Sequence, residues 1–197
     1  MQSSGDLLDL PLRAFLDSLA AEEPSPAGGS TAALAVAMAA ALLAKVARAS
    51  TAWPEASSVV AQAERLRKRA APLAQRDAEA YEEALAALHL PEQLEPQVRS
   101  MAIGQVLGRA AEVPLTIAGA GADVATLAVL VVDRGAPERR GDAVAAALLA
   151  ESGTRAAANL VAVNLTVTPE DERVQLARGL SEVASAAART ALRVPES

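Results

Sequence analysis

The sequence predicts an all-α antiparallel helical bundle, and three observations carry that prediction. Just over half of the 197 residues are hydrophobic (52%) while only 2% are aromatic, and alanine makes up much of the difference. Alanine is the strongest helix former and lets helices approach closely. Stretches at 30–50, 114–132 and 143–165 are apolar nearly all round, the pattern of helices from the middle of a bundle. Elsewhere apolar residues recur at helical spacing between prolines and glycines. The length suits a single domain over 1–197 with a sizeable core. So much all-round apolar helix exceeds what one core needs, and the excess predicts dimerisation through helices.

Residues 6–21 carry Leu8, Leu12, Phe15, Leu16 and Leu19 at helical spacing, with Asp9, Arg13 and Asp17 opposite. They read as an amphipathic helix with Pro11 in its first turn. Pro24-Ser25-Pro26-Ala27-Gly28-Gly29-Ser30-Thr31 is a tight turn, with Ser30 or Thr31 as the N-cap of the helix over 30–50. Trp53-Pro54 is a turn, and 55–88 is a helix with a charged face, kinked or split at Pro72. His89-Leu90-Pro91 ends it, 91–97 is a turn, and helices follow over 98–111 and 114–132. The polar loop 133–142 leads to a helix over 143–165, capped near Asp142 and interrupted at Glu151-Ser152-Gly153. Thr168-Pro169 with Glu170, Asp171 and Glu172 starts the last helix, 169–193.

Composition also narrows the function. A net charge of −6 and the absence of a Lys/Arg run argue against nucleic acid as a partner. No cysteine and a single histidine, His89, leave no thiolate site and no built metal centre, so no metal is expected. The first ten residues lack a basic segment followed by an apolar one, and the apolar stretches 32–44 and 113–132 read as buried helices. The expectation is therefore a cytoplasmic protein without a membrane partner.

Two places stand out for chemistry. The first turn of a helix has unpaired N–H groups, and Gly28, Gly29 and Ser30 either open the main chain to an anionic group or a ligand or simply let a central helix start in a crowded core. Asp77 has Leu73, Ala74, Ala80 and Tyr81 three and four residues away, so its carboxylate reads as pointing inward rather than to solvent.

These landmarks resemble the cyclodeaminase/cyclohydrolase family, the C-terminal half of formiminotransferase-cyclodeaminases and its free-standing relatives. The resemblance is carried by Phe15-Leu16, by Pro26-Ala27-Gly28-Gly29-Ser30-Thr31-Ala32-Ala33, and by Asp77-Ala78-Glu79-Ala80-Tyr81 running on to Leu90-Pro91. Val113-Pro114-Leu115, the Gly135 to Asp142 loop, Glu151-Ser152-Gly153 and Asn164-Leu165 continue it over nearly the whole chain. It implies a helical homodimer acting on tetrahydrofolate one-carbon derivatives, with no cofactor beyond that substrate. The reactions implied are closure of 5-formimino-tetrahydrofolate with loss of ammonia, or interconversion of the methenyl and 10-formyl forms by water. On the matching positions, Asp77 and Asp142 are the expected proton-transfer or pterin-anchoring carboxylates. Gly28, Gly29, Ser30 and Asn164 are expected against the ligand, and Lys45, with Arg48, against the glutamate tail.

The chain departs from the family pattern at Ala27, Gly119, Ala136, Gly141 and Leu160, where polar or glycine residues are usual. Asn159, one position from Leu160, is turned about 100° away on a helix. These losses support an alternative, a non-catalytic folate-binding relative. A further alternative is a helical module docking a separate formiminotransferase.

Overall fold

The computed structural model describes residues 6–25, 27–89, 95–166, 168 and 170–193. Among them there are eight α-helices and no strands: α1 (Leu12–Leu19), α2 (Gly28–Ala49), α3 (Ala56–Ala70), α4 (Leu73–Leu88), α5 (Pro96–Ala110), α6 (Glu112–Arg134), α7 (Arg140–Asn164) and α8 (Glu172–Ala191). Short 3-10 turns at Leu7–Asp9 and Pro137–Arg139 precede α1 and α7. The all-α bundle expected from the alanine content is what the chain forms.

Helix α2 is the axis of the packing and lies against α7, α3, α6 and α4. Helices α6, α7 and α8 pack on one another beside it. Helices α2 and α7 run antiparallel: Lys45 near the end of α2 meets Asp142 near the start of α7, while Gly153 of α7 lies against Ala32 and Val36 of α2. Small residues allow this closeness. Val36, Leu43, Val46, Ile117, Val124 and Val131 are the bulk, set among alanines that are wholly buried. Gly28–Ala49 and Gln97–Arg134 are long and apolar enough to cross a membrane, and 61% and 56% of their most apolar windows are buried inside the bundle.

Several local expectations are corrected. The first helix is short, and Pro11 is its N-cap rather than a first-turn residue. Of its apolar residues only Phe15 is buried, while Leu12 and Leu16 stay exposed, because the helix is too short to lay its whole apolar stripe on the bundle. Neither Ser30 nor Thr31 caps α2; the helix begins two residues earlier, with Ala27 at the cap position and no side-chain cap bond. Asp142 is likewise inside the first turn of α7, not its cap. Helix α7 is unbroken at Glu151-Ser152-Gly153, since Gly153 keeps helical geometry and uses its missing side chain to admit α2.

The last helix starts at Glu172 instead of Pro169, because the Asp171 carboxylate accepts from the Arg173 N–H at 3.0 Å and also from its guanidinium. Arg173 in turn donates to the Gly108 carbonyl at 2.7 Å, tying α8 to α5. Pro72 divides the 55–88 segment into α3 and α4, as a proline without an N–H requires. Leu90-Pro91 at the expected helix end, most of the expected turn 91–97, and Pro169 at the expected helix start lie outside the described residues.

The glycines of α7 and α8 provide a test of this packing. A Cβ on Gly153 would lie 2.8 Å from Val36 Cγ2 and 2.9 Å from the Ala32 carbonyl oxygen, whereas one on Gly179 meets nothing within 4 Å. Overpacking costs about 1–3 kcal/mol, against a helix-propensity gain of about 1 kcal/mol for replacing glycine by alanine. Thermal unfolding followed by circular dichroism should therefore show a lower Tm for Gly153→Ala and a higher one for Gly179→Ala. Equal shifts in both would remove the packing account.

Candidate functional site

A hollow of about 260 Å³ opens where the N-terminus of α2 meets α4, the end of α5, the start of α6 and the end of α7. Its wall includes Gly28, Gly29, Asp77, Tyr81, Leu160 and Asn164. Larger grooves flank Trp53 at the opposite end of α2 and lie between α3 and α6. The smaller hollow is the candidate site, because it alone among these has a buried ionisable group in its wall, and such groups mark sites of chemistry.

That group is Asp77, 8% exposed. Its position follows from local sequence: Leu73, Ala74 and Ala78 carry α4 against the core, and Asp77 shares their buried face. The carboxylate sits on the first turn of α2. The Ser30 backbone N–H and hydroxyl both point at it, with Ser30 Oγ 3.5 Å from Asp77 Oδ2 and donating at 2.8 Å to the Ala74 carbonyl. A Cβ on Gly29 would overlap the Asp77 carboxyl, so glycine is required there for close approach. Asp77 thus does from α4 what Ser30 and Thr31 were expected to do within α2, serving as its tertiary cap. Burial pushes its pKa above the ordinary 3.8, and the Ser30 N–H and hydroxyl pull the other way without cancelling it.

The structure gathers Gly28, Gly29, Asp77 and Asn164 around one hollow, with Ser30 directly behind the carboxylate. Asn164 Nδ2 donates to the Ala110 carbonyl at 3.2 Å, a bond between α7 and α5 that aims the amide at the same wall. Lys45 and Asp142 are not brought there. They pair with each other at 2.9 Å, about 24 Å along α2 from Gly29 at 1.5 Å per residue. Lys45 holds the Asp142 carboxyl below its ordinary range. Arg48 is taken by Glu64 at 2.6 Å.

Of the three aromatics that the sequence offers for stacking on a pterin, Trp53, Tyr81 and Phe15, only Tyr81 lines the hollow. It lies one helical turn after Asp77, and that i, i+4 spacing was the available signal. Trp53 lies at the far end of α2 and Phe15 in the core. Two of the departures from the family pattern, Ala27 and Leu160, line the hollow, and Asn159 is exposed as its 100° offset requires. No cluster of three metal-ligating side chains occurs among the described residues.

The Asp77 shift has a sign that can be checked. A carboxyl whose pKa is raised by folding keeps its proton to higher pH in the folded chain than in the unfolded one, so its ionisation removes stability as pH rises through the folded value. Asp77→Asn should unfold at a higher temperature than the unsubstituted chain at pH 7, and the gap should close as pH falls towards 3.8. Asp171 has the opposite sign: Arg173 holds it at about 2, so its contribution is present above 3.8 and lost towards 2. A gap for Asp77→Asn that widened on acidification would contradict the assignment.

The fold and site can now be set beside known proteins. Residues 11–192 match the family described as formiminotransferase-cyclodeaminase. A methenyltetrahydrofolate cyclohydrolase of Methylorubrum extorquens is 32% identical over 162 residues, covering 78% of each chain. The crystal structure of a formiminotetrahydrofolate cyclodeaminase from Thermotoga maritima superposes with a TM-score of 0.83 at 23% identity, over 94% of this chain and 95% of that one.

Proposed function

The chain belongs to the formiminotransferase-cyclodeaminase family, and from that premise we propose that it transforms a tetrahydrofolate one-carbon derivative in the hollow beside Asp77. The reading preferred is methenyl-tetrahydrofolate cyclohydrolase, the activity named for the 32% identical relative. The second is 5-formimino-tetrahydrofolate cyclodeaminase, supported by the family's description. The observation that carries both is the Asp77 carboxylate, buried in the wall of the hollow with its pKa raised towards the range of a proton-transfer group.

In hydrolysis, water attacks the one-carbon atom of the methenyl cation and Asp77 takes one of its protons, leaving a neutral adduct. The adduct's hydroxyl then gives its proton to solvent as the C=O bond forms. The bond from carbon to N5 breaks while Asp77 returns its proton to N5. The products are 10-formyl-tetrahydrofolate and one proton released. In deamination, N10 attacks the protonated formimino carbon, and Asp77 carries the N10 proton to the departing nitrogen. Ammonia leaves and the methenyl cation remains. Each route asks one carboxyl to take a proton from the attacking group and give it to the leaving nitrogen.

The seat of Asp77 suits this work. Its contact with the first turn of α2 favours the anion by about 0.3–1 kcal/mol, against the desolvation that raises its pKa. Stabilised too well, it would be a poor base; left unsupported in an apolar wall, it would hold its proton permanently.

A homodimer through helices α2 and α7 belongs to the same reading, with a cytoplasmic setting and no cofactor beyond the folate substrate. Support comes from Met38 and Leu148, large apolar residues exposed at 55% and 37% on two helices packed against each other. Lys45 and Asp142 sit on that surface, so any contact they make with ligand comes across such an interface.

Absorbance in the methenyl-tetrahydrofolate band tests the proposal. Accelerated decay of added methenyl-tetrahydrofolate at mildly alkaline pH is expected for the cyclohydrolase, and band growth from 5-formimino-tetrahydrofolate for the cyclodeaminase. Asp77→Asn should lower either rate at least about 100-fold, the scale of a general acid–base group, with an unchanged helical circular dichroism spectrum. Full activity in that variant would refute the role of Asp77.

A further inference from the structure

The hollow has a one-sided charge. Its lining contains a carboxylate, Asp77, a phenol, Tyr81, and a neutral amide, Asn164; among the described residues no lysine, arginine or histidine is part of it. Among the described residues no ion pair reaches Asp77: Arg76 and Arg109, each beside a lining residue in sequence, are exposed, while Arg69 pairs with Asp123 at 2.8 Å and Arg173 with Asp171 and the Gly108 carbonyl. The remainder of the wall is apolar, including Ala80, Ala84, Pro114, Leu160 and Val163. Apart from the partial positive charge of the α2 N-terminus, the described residues give this carboxylate no counter-charge. Tyr81, one turn further along α4 and 39% exposed, offers its ring to the same space. An aromatic face carries negative charge density and attracts cations.

Resting on the folate reading, we infer that this hollow selects the positively charged state of its one-carbon ligand, with Asp77 and Tyr81 as the cation-binding pair. The methenyl ring and the protonated formimino group are both amidinium-type cations, while the formyl derivatives are neutral at the one-carbon unit. The cationic ligand supplies the charge that the wall lacks, and its positive carbon sits beside the carboxylate that must move protons. Hydrolysis removes that charge, so the formyl product loses its counter-ion contact at the moment it forms and is released. The same selectivity keeps neutral formyl-tetrahydrofolates from occupying the site.

The experiment is isothermal titration of the full chain with two ligands at mildly acidic pH, where the closed methenyl ring predominates. The ligands are 5,10-methenyl-tetrahydrofolate, a cation, and 5-formyl-tetrahydrofolate, its neutral counterpart at the same oxidation level. The expected result is at least about tenfold tighter binding of the methenyl form. Asp77→Asn should abolish that preference by weakening the methenyl form, with 5-formyl binding kept within about twofold. Tyr81→Leu should weaken methenyl binding by roughly three- to tenfold, and Tyr81→Phe, which keeps the ring, should not. Equal affinity for the two ligands, or a preference that survives in Asp77→Asn, overturns the inference and leaves the folate reading standing. Failure of the correctly folded chain to bind either ligand overturns the folate reading itself, and this inference with it.

Discussion

The contact on which the rest depends is the Asp77 carboxylate resting on the first turn of α2. It needs three things at once: a glycine at 29, so that no Cβ blocks the approach; Ser30, whose N–H and hydroxyl face the carboxylate; and an α4 held close enough for Ser30 Oγ to reach the Ala74 carbonyl. The unpaired donors and the positive end of a helix favour an anion at that point. Burial opposes it, and the opposition is what raises the pKa of Asp77. A structural cap and a chemically poised acid are thus the same side chain.

That contact sits at the end of a core built on small residues. Alanine lets α2 lie among four neighbours, and Gly121 and Gly153 remove the last obstruction, at Thr154 on α7 and at Val36 on α2. Close packing of this kind tolerates little added volume. It also explains why α2 and α6 lack a polar face along most of their length: each is covered on several sides. The polar contacts lie at the ends and edges, as in Ser50, which accepts from the Ala136 N–H at 2.8 Å, and Asp171 with Arg173.

Much of the site was legible from local pattern. The inward aim of Asp77 followed from the apolar residues around it on α4, and the special nature of the Gly28-Gly29-Ser30 turn followed from its composition. What that turn holds was not legible, because its partner lies 47 residues away in Asp77. The pairing of Lys45 with Asp142 was equally hidden, with 97 residues between them. Each was read as a ligand contact; the antiparallel register of α2 and α7 makes them partners on the surface, away from the hollow. Tyr81 was one of three aromatics that could stack on a pterin, and the sequence could not single it out for a related reason: whether an aromatic lines a hollow or faces solvent depends on the helices opposite it.

By itself the sequence determined the helices and the break at Pro72, since propensity, apolar spacing and proline act over a few residues. Alanine content settled that these helices form a bundle with closely packed axes. Tertiary structure decided what the buried carboxylate rests on, which carboxylate is spent on a lysine, and which turn is capped from outside. Those outcomes depend on groups that meet only when distant segments of the chain are folded together, where burial and the absence of a Cβ set the energies.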